Sequence, residues 1–135
     1  FITIVALGTL ISCSKDEDTT APTIEIITPE VNDTIKLGDN LNMKFRFTDE
    51  YGVRYYSYAI FYNIPGTEGE FDYFKEINLQ SVFTEYEVPH SVRIPKNYND
   101  SIPTPIGDYT LRVIAIDWYG NSNVVDQPLK VEPAE

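Results

Sequence analysis

Residues 41–48 alternate strictly between apolar and polar side chains, and this limits what the chain can fold into more than any other feature. The apolar members are Leu41, Met43, Phe45 and Phe47. A strand points successive side chains to opposite faces, so it can bury all four together, whereas an α-helix would spread them around its axis. The sequence after Thr23 keeps this period of two and is rich in β-branched and aromatic residues. These patterns predict an all-β domain.

Short runs of the same kind predict about seven strands, separated by turns such as residues 49–52. The runs are Thr23–Thr28 and residues 41–48, 55–63, 71–77, 84–88, 91–94 and 107–117, followed by a last strand ending at Val131. Pro89 has no amide hydrogen, which predicts a sheet edge or a bulge at that position. Tyr109 follows Gly107 and a long proline-bearing connection, as in the tyrosine corner of sandwich folds. We therefore expect an immunoglobulin-like antiparallel Greek-key β-sandwich.

The first residues have the composition of a targeting segment. Residues 1–12 are uncharged and mostly apolar, as in a signal peptide, and we expect the beginning of that peptide to be missing. The run is too short to span a bilayer. Leu10, Ile11 and Ser12 then precede Cys13 in an order that resembles a lipobox, whose cysteine becomes the acylated N-terminus. The alternative is a buried N-terminal strand that ends in a core cysteine.

These features divide the chain into three parts. Residues 1–12 are predicted to be the signal peptide, residues 13–22 the lipidated cysteine with a flexible acidic tether, and residues 23–135 the sandwich domain. The sequence contains 21 Asp and Glu against 10 Lys and Arg, a net charge of −11. Such a field repels phosphate backbones and anionic lipids, so we expect no nucleic-acid partner and no direct adsorption to an anionic membrane surface.

Four segments together resemble the Ig-like domains of uncharacterised surface lipoproteins of Bacteroidota. They are APTIEIITP (21–29), FTDEYGV (47–53), GDYTLRV (107–113) and AIDWYGN (115–121). Lys15 and the acidic residues after it also resemble the export signal of such lipoproteins, with a plain solvated linker as the alternative. The resemblance implies an outer-membrane lipoprotein, exposed at the cell surface and joined to the membrane through its lipid anchor. It brings no catalytic motif with it.

Few residues in this sequence are suited to chemistry. His90 is the only histidine and Cys13 the only cysteine, so a zinc site cannot be assembled. We expect no cofactor, with calcium as the one candidate because it takes several oxygen ligands from loops. The candidate ligands at predicted sheet ends are Asp49, Glu50 and Asp117. Asp117 is equally well interpreted as the acceptor of local backbone amides in a hairpin turn.

The aromatic content suggests a binding surface. The sequence has ten Tyr, seven Phe and a single Trp, and exposed rings can stack on the apolar faces of sugars. Strand 55–63 carries aromatic residues on both faces, of which the core can take one. The predicted ligand-binding residues are Tyr56, Tyr58, Tyr62 and Trp118. The alternative is that these rings fill the core.

The sequence therefore predicts a non-enzymatic recognition or accessory module at the outer-membrane surface that binds a glycan or a protein. One alternative is a passive spacer or assembly subunit of a cell-surface complex. A third interpretation is a carboxylate-dependent glycoside hydrolase, since the many acidic residues allow a catalytic pair to be drawn. A contiguous exposed aromatic patch would favour binding, and a uniformly charged surface would favour a spacer.

Overall fold

A computed structural model describes residues 18–64, 71–98 and 101–135, and regular structure in this part of the chain is entirely β. The eight strands are β1 (Thr23–Thr28), β2 (Thr34–Lys36), β3 (Asn40–Tyr62), β4 (Asp72–Arg93), β5 (Asn97–Tyr98), β6 (Ile102–Pro103), β7 (Gly107–Asp117) and β8 (Ser122–Glu132). The all-β prediction is confirmed, and β1 has the predicted bounds. The predicted signal peptide and Cys13 lie outside the described residues.

The long strands β3 and β4 each bend and contribute to both layers of a sandwich. In the first layer, β1 and the second half of β4 flank the first half of β3. In the second layer, the other half of β3 lies between the first half of β4 and β7, and β8 pairs with β7. The predicted turn at residues 49–52 is thus a bend within one strand. Three predicted short strands likewise join into β4.

The core lies between the two layers, where the apolar faces of the two halves of β3 meet. The ring of Phe47 lies 4.7 Å from that of Tyr56, and the ring of Phe45 lies 5.5 Å from that of Tyr58. Burial of the alternating apolar set of residues 41–48 confirms the pattern that predicted it.

The predicted tyrosine corner is present. Tyr109 is fully buried, and its hydroxyl donates a hydrogen bond of 2.7 Å to the carbonyl of Pro105. Pro89 lies on β4, which in the described part of the chain pairs with β3 alone, and the predicted edge position is confirmed. One pair departs from the antiparallel prediction: β2 lies parallel to β8 because the chain crosses between the layers after β1 without reversing direction.

The two ends of the sandwich are built differently. We call one end the tip, and its parts are the leading segment 18–22, the bends at residues 49–52 and 79–82, and the β7–β8 turn at residues 118–121. The strands run from there to the opposite end, where residues 36–39, β5, β6 and residues 133–135 lie.

Candidate functional site

Three buried carboxylates meet inside the tip. Asp18, Asp49 and Asp117 each place one oxygen within 4.8 Å of the other two, and their exposed fractions are 8%, 8% and 0%. We call these residues the acidic cluster. Buried carboxylates at this separation repel each other unless a proton, a hydrogen-bond donor or a cation lies among them.

Hydrogen bonds within the two turns hold the cluster in place. Asp117 accepts bonds from the backbone amides of Tyr119 (2.9 Å) and Asn121 (2.8 Å), and from the Asn121 side-chain amide (3.0 Å). Asp49 accepts a bond of 3.0 Å from the backbone amide of Tyr51. The predicted turn-capping role of Asp117 is therefore what the structure shows. Its neighbour Asp49 accepts fewer hydrogen bonds than Asp117 does.

The carboxyl groups of Asp117 and Asp49 differ in acidity as a result. Burial opposes ionisation of Asp117, but hydrogen bonds with the side chains of Asn121 and Asp18 and from the backbone outweigh it and lower the pKa of that carboxyl. Burial raises the pKa of Asp49, and the neighbouring charge of Asp117 adds to that effect. Asp117 is therefore favoured in its ionised form. A positive charge beside Asp49 would favour ionisation of that carboxyl as well.

The predicted calcium ligands are only partly brought together. Asp49 and Asp117 are neighbours, whereas Glu50 is exposed and takes no part in the cluster. Asp18 is the member that sequence reasoning missed, because it stood in the predicted flexible tether. It is buried, and its backbone carbonyl accepts a hydrogen bond of 2.8 Å from the Asn121 side chain. The packed domain thus begins at least five residues earlier than the predicted boundary.

Exposed aromatic rings cover the outside of the tip. Trp118 is 43% exposed, as predicted for a ring able to make contacts. Its neighbours are Tyr119 from the same turn, Tyr51 from the bend in β3, and Val82 from the bend in β4. We call these four residues the aromatic tip. Tyr51 and Tyr119 were missed because each appeared in the sequence as an ordinary turn residue.

The prediction that Tyr56 and Tyr58 form an exposed binding surface is corrected. Both are 1% exposed, because the face of β3 that they share is the one turned to the core. Their hydroxyls lie 2.7 Å and 3.3 Å from the two ring nitrogens of His90, which satisfies them inside the protein. Burial raises the pKa of both hydroxyls.

Tyr62, the last of the predicted binding tyrosines, is half-buried. Its ring packs on the tyrosine-corner ring of Tyr109, with centroids 5.1 Å apart. It lies at the end of β3 opposite the tip and therefore does not join Trp118 in one surface.

A groove lies on the outer face of the second layer. Phe74, Ala59, Arg112 and Asp126 stand side by side on β4, β3, β7 and β8. The groove has a volume of about 360 Å³ and is lined by Ala59, Ile60, Phe61, Asp72, Tyr73, Phe74 and Arg112. We call it the outer groove.

The walls of the outer groove combine aromatic and charged groups. Phe74 is 59% exposed, and the small side chain of Ala59 leaves the floor open. The Arg112 guanidinium lies 5.3 Å from the centre of the Phe61 ring. Two hydrogen bonds, of 2.8 Å and 2.9 Å, fix that guanidinium to Asp126 and lower the pKa of the Asp126 carboxyl. Its position on the groove wall is therefore set before any ligand arrives.

Comparison with known proteins gives a family and a fold. A family model described as a domain of unknown function (DUF4625) matches residues 11–132. No curated protein matches the sequence. In the described part of the chain, no helix is long and apolar enough to cross a membrane.

Two solved structures match the chain over most of its length. The SrpA adhesin from Streptococcus sanguinis, in a crystal structure of a mutant form, matches with a TM-score of 0.53 and 19% sequence identity. The match covers 86% of this chain and 60% of the adhesin chain, so the chain spans less than two thirds of that protein. A β-glucosidase from Listeria innocua matches with a TM-score of 0.47 and 14% identity, over 84% of this chain and 17% of the glucosidase chain. The adhesin match shows a shared β fold and does not extend to activity.

Proposed function

The chain belongs to the DUF4625 family of domains of unknown function, and from that premise we propose that it is a non-enzymatic binding module that recognises glycans in its outer groove. The proposal rests on one arrangement in the outer groove. The exposed ring of Phe74 and the guanidinium of Arg112 stand on either side of the small Ala59 side chain. An aromatic ring offers a surface for the apolar face of a sugar ring, and nearby charged groups hydrogen-bond its hydroxyls.

The polar partners in the groove suit hydroxyl groups. Asp72 accepts hydrogen bonds, and the nitrogens of Arg112 that Asp126 does not occupy can donate them. Since Arg112 is already neutralised by Asp126, the groove offers no net attraction for a free anion. A neutral glycan is therefore the ligand class that these groups support.

A catalytic role has less support from the described residues. The only histidine, His90, has both ring nitrogens within hydrogen-bond distance of buried tyrosine hydroxyls. In the acidic cluster, Asp49 and Asp117 accept hydrogen bonds from backbone amides in their own turns. This suits a structural role better than proton transfer to a substrate.

The test of recognition is a glycan-array screen of the chain from Cys13 to Glu135, with host proteins as a second panel. Binding that is lost in Phe74→Ala and kept in Val124→Ala would locate recognition in the outer groove. Both side chains are exposed on the outer face of the second layer, so Val124→Ala controls for loss of surface apolar area. Glycan binding unaffected by Phe74→Ala would move the site elsewhere, and no binding in either panel would favour the spacer alternative.

We further propose that the module is an outer-membrane lipoprotein acylated at Cys13 and exposed at the cell surface. The support comes from the sequence of residues 10–18, since Cys13 itself lies outside the described residues. Cys13→Ala should leave unprocessed precursor and abolish labelling with a fatty acid, and continued acylation would contradict the assignment. Replacing residues 15–17, which precede the buried Asp18, with neutral ones should reduce protease accessibility on intact cells, and unchanged accessibility would leave those residues as a linker.

A second candidate function is calcium binding in the tip, which the acidic cluster favours. Oxygen ligands on loops at a sheet end are what calcium requires, and three carboxylates are gathered there, of which Asp49 and Asp117 were predicted from the sequence. The ion would be held by Asp18, Asp49 and Asp117. Its positive charge would offset the repulsion among the three carboxylates. Such an ion would fix the leading segment to the two turns.

A further inference from the structure

The chain enters the folded domain at the tip. Asp18 is the first described residue and lies against the β7–β8 turn, where the Asn121 side chain bonds its carbonyl at 2.8 Å. Four residues later, the carbonyl of Pro22 accepts a bond of 3.0 Å from the Asn123 side chain. The leading segment is thus fixed beside Trp118 and Tyr119, and not beside the opposite end of the sandwich.

The anchor proposed at Cys13 must therefore lie near the tip. Four residues separate Cys13 from Asp18, and a fully extended chain of this length spans no more than about 18 Å. The sandwich itself is roughly 30 Å long, because the ten residues of β3 from Val53 to Tyr62 extend from the tip to the other end. A lipid on Cys13 therefore brings the tip close to the membrane, whereas the opposite end, roughly 30 Å away, cannot be the end that faces it.

The side chains exposed at the tip suit a membrane surface. Tyr51, Trp118 and Tyr119 are exposed rings with polar atoms, and Val82 adds an exposed aliphatic group beside them. Tyr and Trp are the residues enriched where the hydrocarbon region of a bilayer meets its headgroups, because one part of each ring is apolar and another can hydrogen-bond.

We propose that the aromatic tip rests in the headgroup interface of the bilayer that holds the Cys13 anchor, so that the domain stands end-on upon the membrane. This inference rests on the proposed acylation of Cys13. The net charge of −11 argues against adsorption of the free domain, so the contact forms because the anchor holds the tip close to the lipid surface. The outer groove then faces sideways, clear of the bilayer and open to ligands.

The sequence provides both probes for the test. Cys13 is the only cysteine and Trp118 the only tryptophan, so the chain from Cys13 to Glu135 can be coupled to maleimide lipid in phosphatidylcholine vesicles while Trp118 fluorescence reports on the tip. We expect the emission of Trp118 to shift to shorter wavelength on coupling. Lipids brominated in their upper acyl carbons should quench it.

Two matched variants make the result specific. Coupling through Glu135→Cys in a Cys13→Ser background attaches the opposite end and should give neither shift nor quenching. Moving the tryptophan to the outer groove, by Phe74→Trp with Trp118→Phe, should also abolish quenching in protein coupled through Cys13. Unchanged Trp118 emission in protein shown to be coupled through Cys13 would overturn the proposal. Because the coupling is chemical, that result is independent of whether cells acylate Cys13 and of glycan binding.

Discussion

The rings of Tyr51 and Tyr119 pack edge to face, with centroids 5.3 Å apart and ring planes at 71°. Each is the third residue of an Asp-x-Tyr-Gly sequence, at residues 49–52 and 117–120. In both turns the first Asp accepts a hydrogen bond from the Tyr amide, at 3.0 Å and 2.9 Å. The same short sequence, used twice, therefore brings two carboxylates together inside the tip and two rings together outside it.

Calcium should stabilise the protein if the acidic cluster binds it. An ion that binds only the folded chain raises the free energy of unfolding, by about 2.7 kcal/mol at one hundred times its Kd. We expect the melting temperature to rise in millimolar calcium, and Asp49→Asn to abolish that rise. Glu50→Gln is the control, because Glu50 is exposed and outside the cluster. An equal rise in Asp49→Asn, or none in the natural chain, would leave the cluster as a hydrogen-bonded turn.

His90 should make stability depend on pH near neutrality. Burial, and next the charge of Lys75, lower the pKa of His90, whose ring is also in contact with Tyr56 and Tyr58. The unfolded chain binds this proton at a higher pH than the folded chain does. The stabilisation from neutral His90 is therefore complete above about pH 6.5 and is lost as pH falls through the lowered folded value.

Urea unfolding across this pH range would measure the effect. Between roughly pH 7.5 and pH 5, the free energy of unfolding should fall more steeply in the natural chain than in His90→Gln. The same carboxylates are present in both proteins, so their contribution cancels in the comparison. Equal slopes would show that His90 is solvated enough to accept a proton in the folded state.

The tyrosine corner should contribute measurably to stability. Tyr109→Phe removes the hydroxyl that bonds Pro105 at 2.7 Å and leaves a carbonyl without that donor. The expected loss is about 1–3 kcal/mol in the free energy of unfolding. Tyr119→Phe keeps an exposed ring and should change stability by less than about 0.5 kcal/mol. Similar small losses in both variants would show that solvent replaces the corner hydrogen bond.

The two glycines of the repeated Asp-x-Tyr-Gly sequence should differ in how well they tolerate replacement by alanine. Gly52 and Gly120 both have positive φ, at 100° and 88°, so alanine strains the backbone at either position by about 1–2 kcal/mol. A Cβ at Gly52 would also lie 2.5 Å from Cγ1 of Val82, whereas one at Gly120 meets nothing within 4 Å. Thermal unfolding should show Gly52→Ala to be the less stable variant. If Gly120→Ala were the less stable variant, the bend in β4 at residues 79–82 would have to shift to make room for the added Cβ at residue 52.

The fold could be predicted because its signals are local. The alternation in residues 41–48 identifies a buried face whatever the rest of the chain does, and the position of Tyr109 after Gly107 identifies the corner. The continuity of β3 through residues 49–52 could not be predicted, since Asp, Tyr and Gly in that order are typical of a turn. A turn between strands and a bend within one strand require the same residues.

The site was harder to predict because it depends on contacts between distant segments. Strand 55–63 has aromatic residues on both faces, and the face that enters the core is in contact with residues distant in sequence, such as His90, which lies 32 residues from Tyr58 and hydrogen-bonds its hydroxyl. The outer groove likewise depends on the register that places Phe74 beside Ala59 and Ala59 beside Arg112. The repeated Asp-x-Tyr-Gly sequence was the one local signal that could have located the tip.

The central claim, that the outer groove recognises a glycan, is tested most directly by comparing glycan binding of the natural chain, Phe74→Ala and Val124→Ala on one array. We predict binding by the natural chain and by Val124→Ala, with at least about a tenfold loss of affinity in Phe74→Ala, equivalent to about 1.4 kcal/mol. All three proteins should have similar melting temperatures, since both side chains are exposed. Equal binding by Phe74→Ala and the natural chain would contradict the claim.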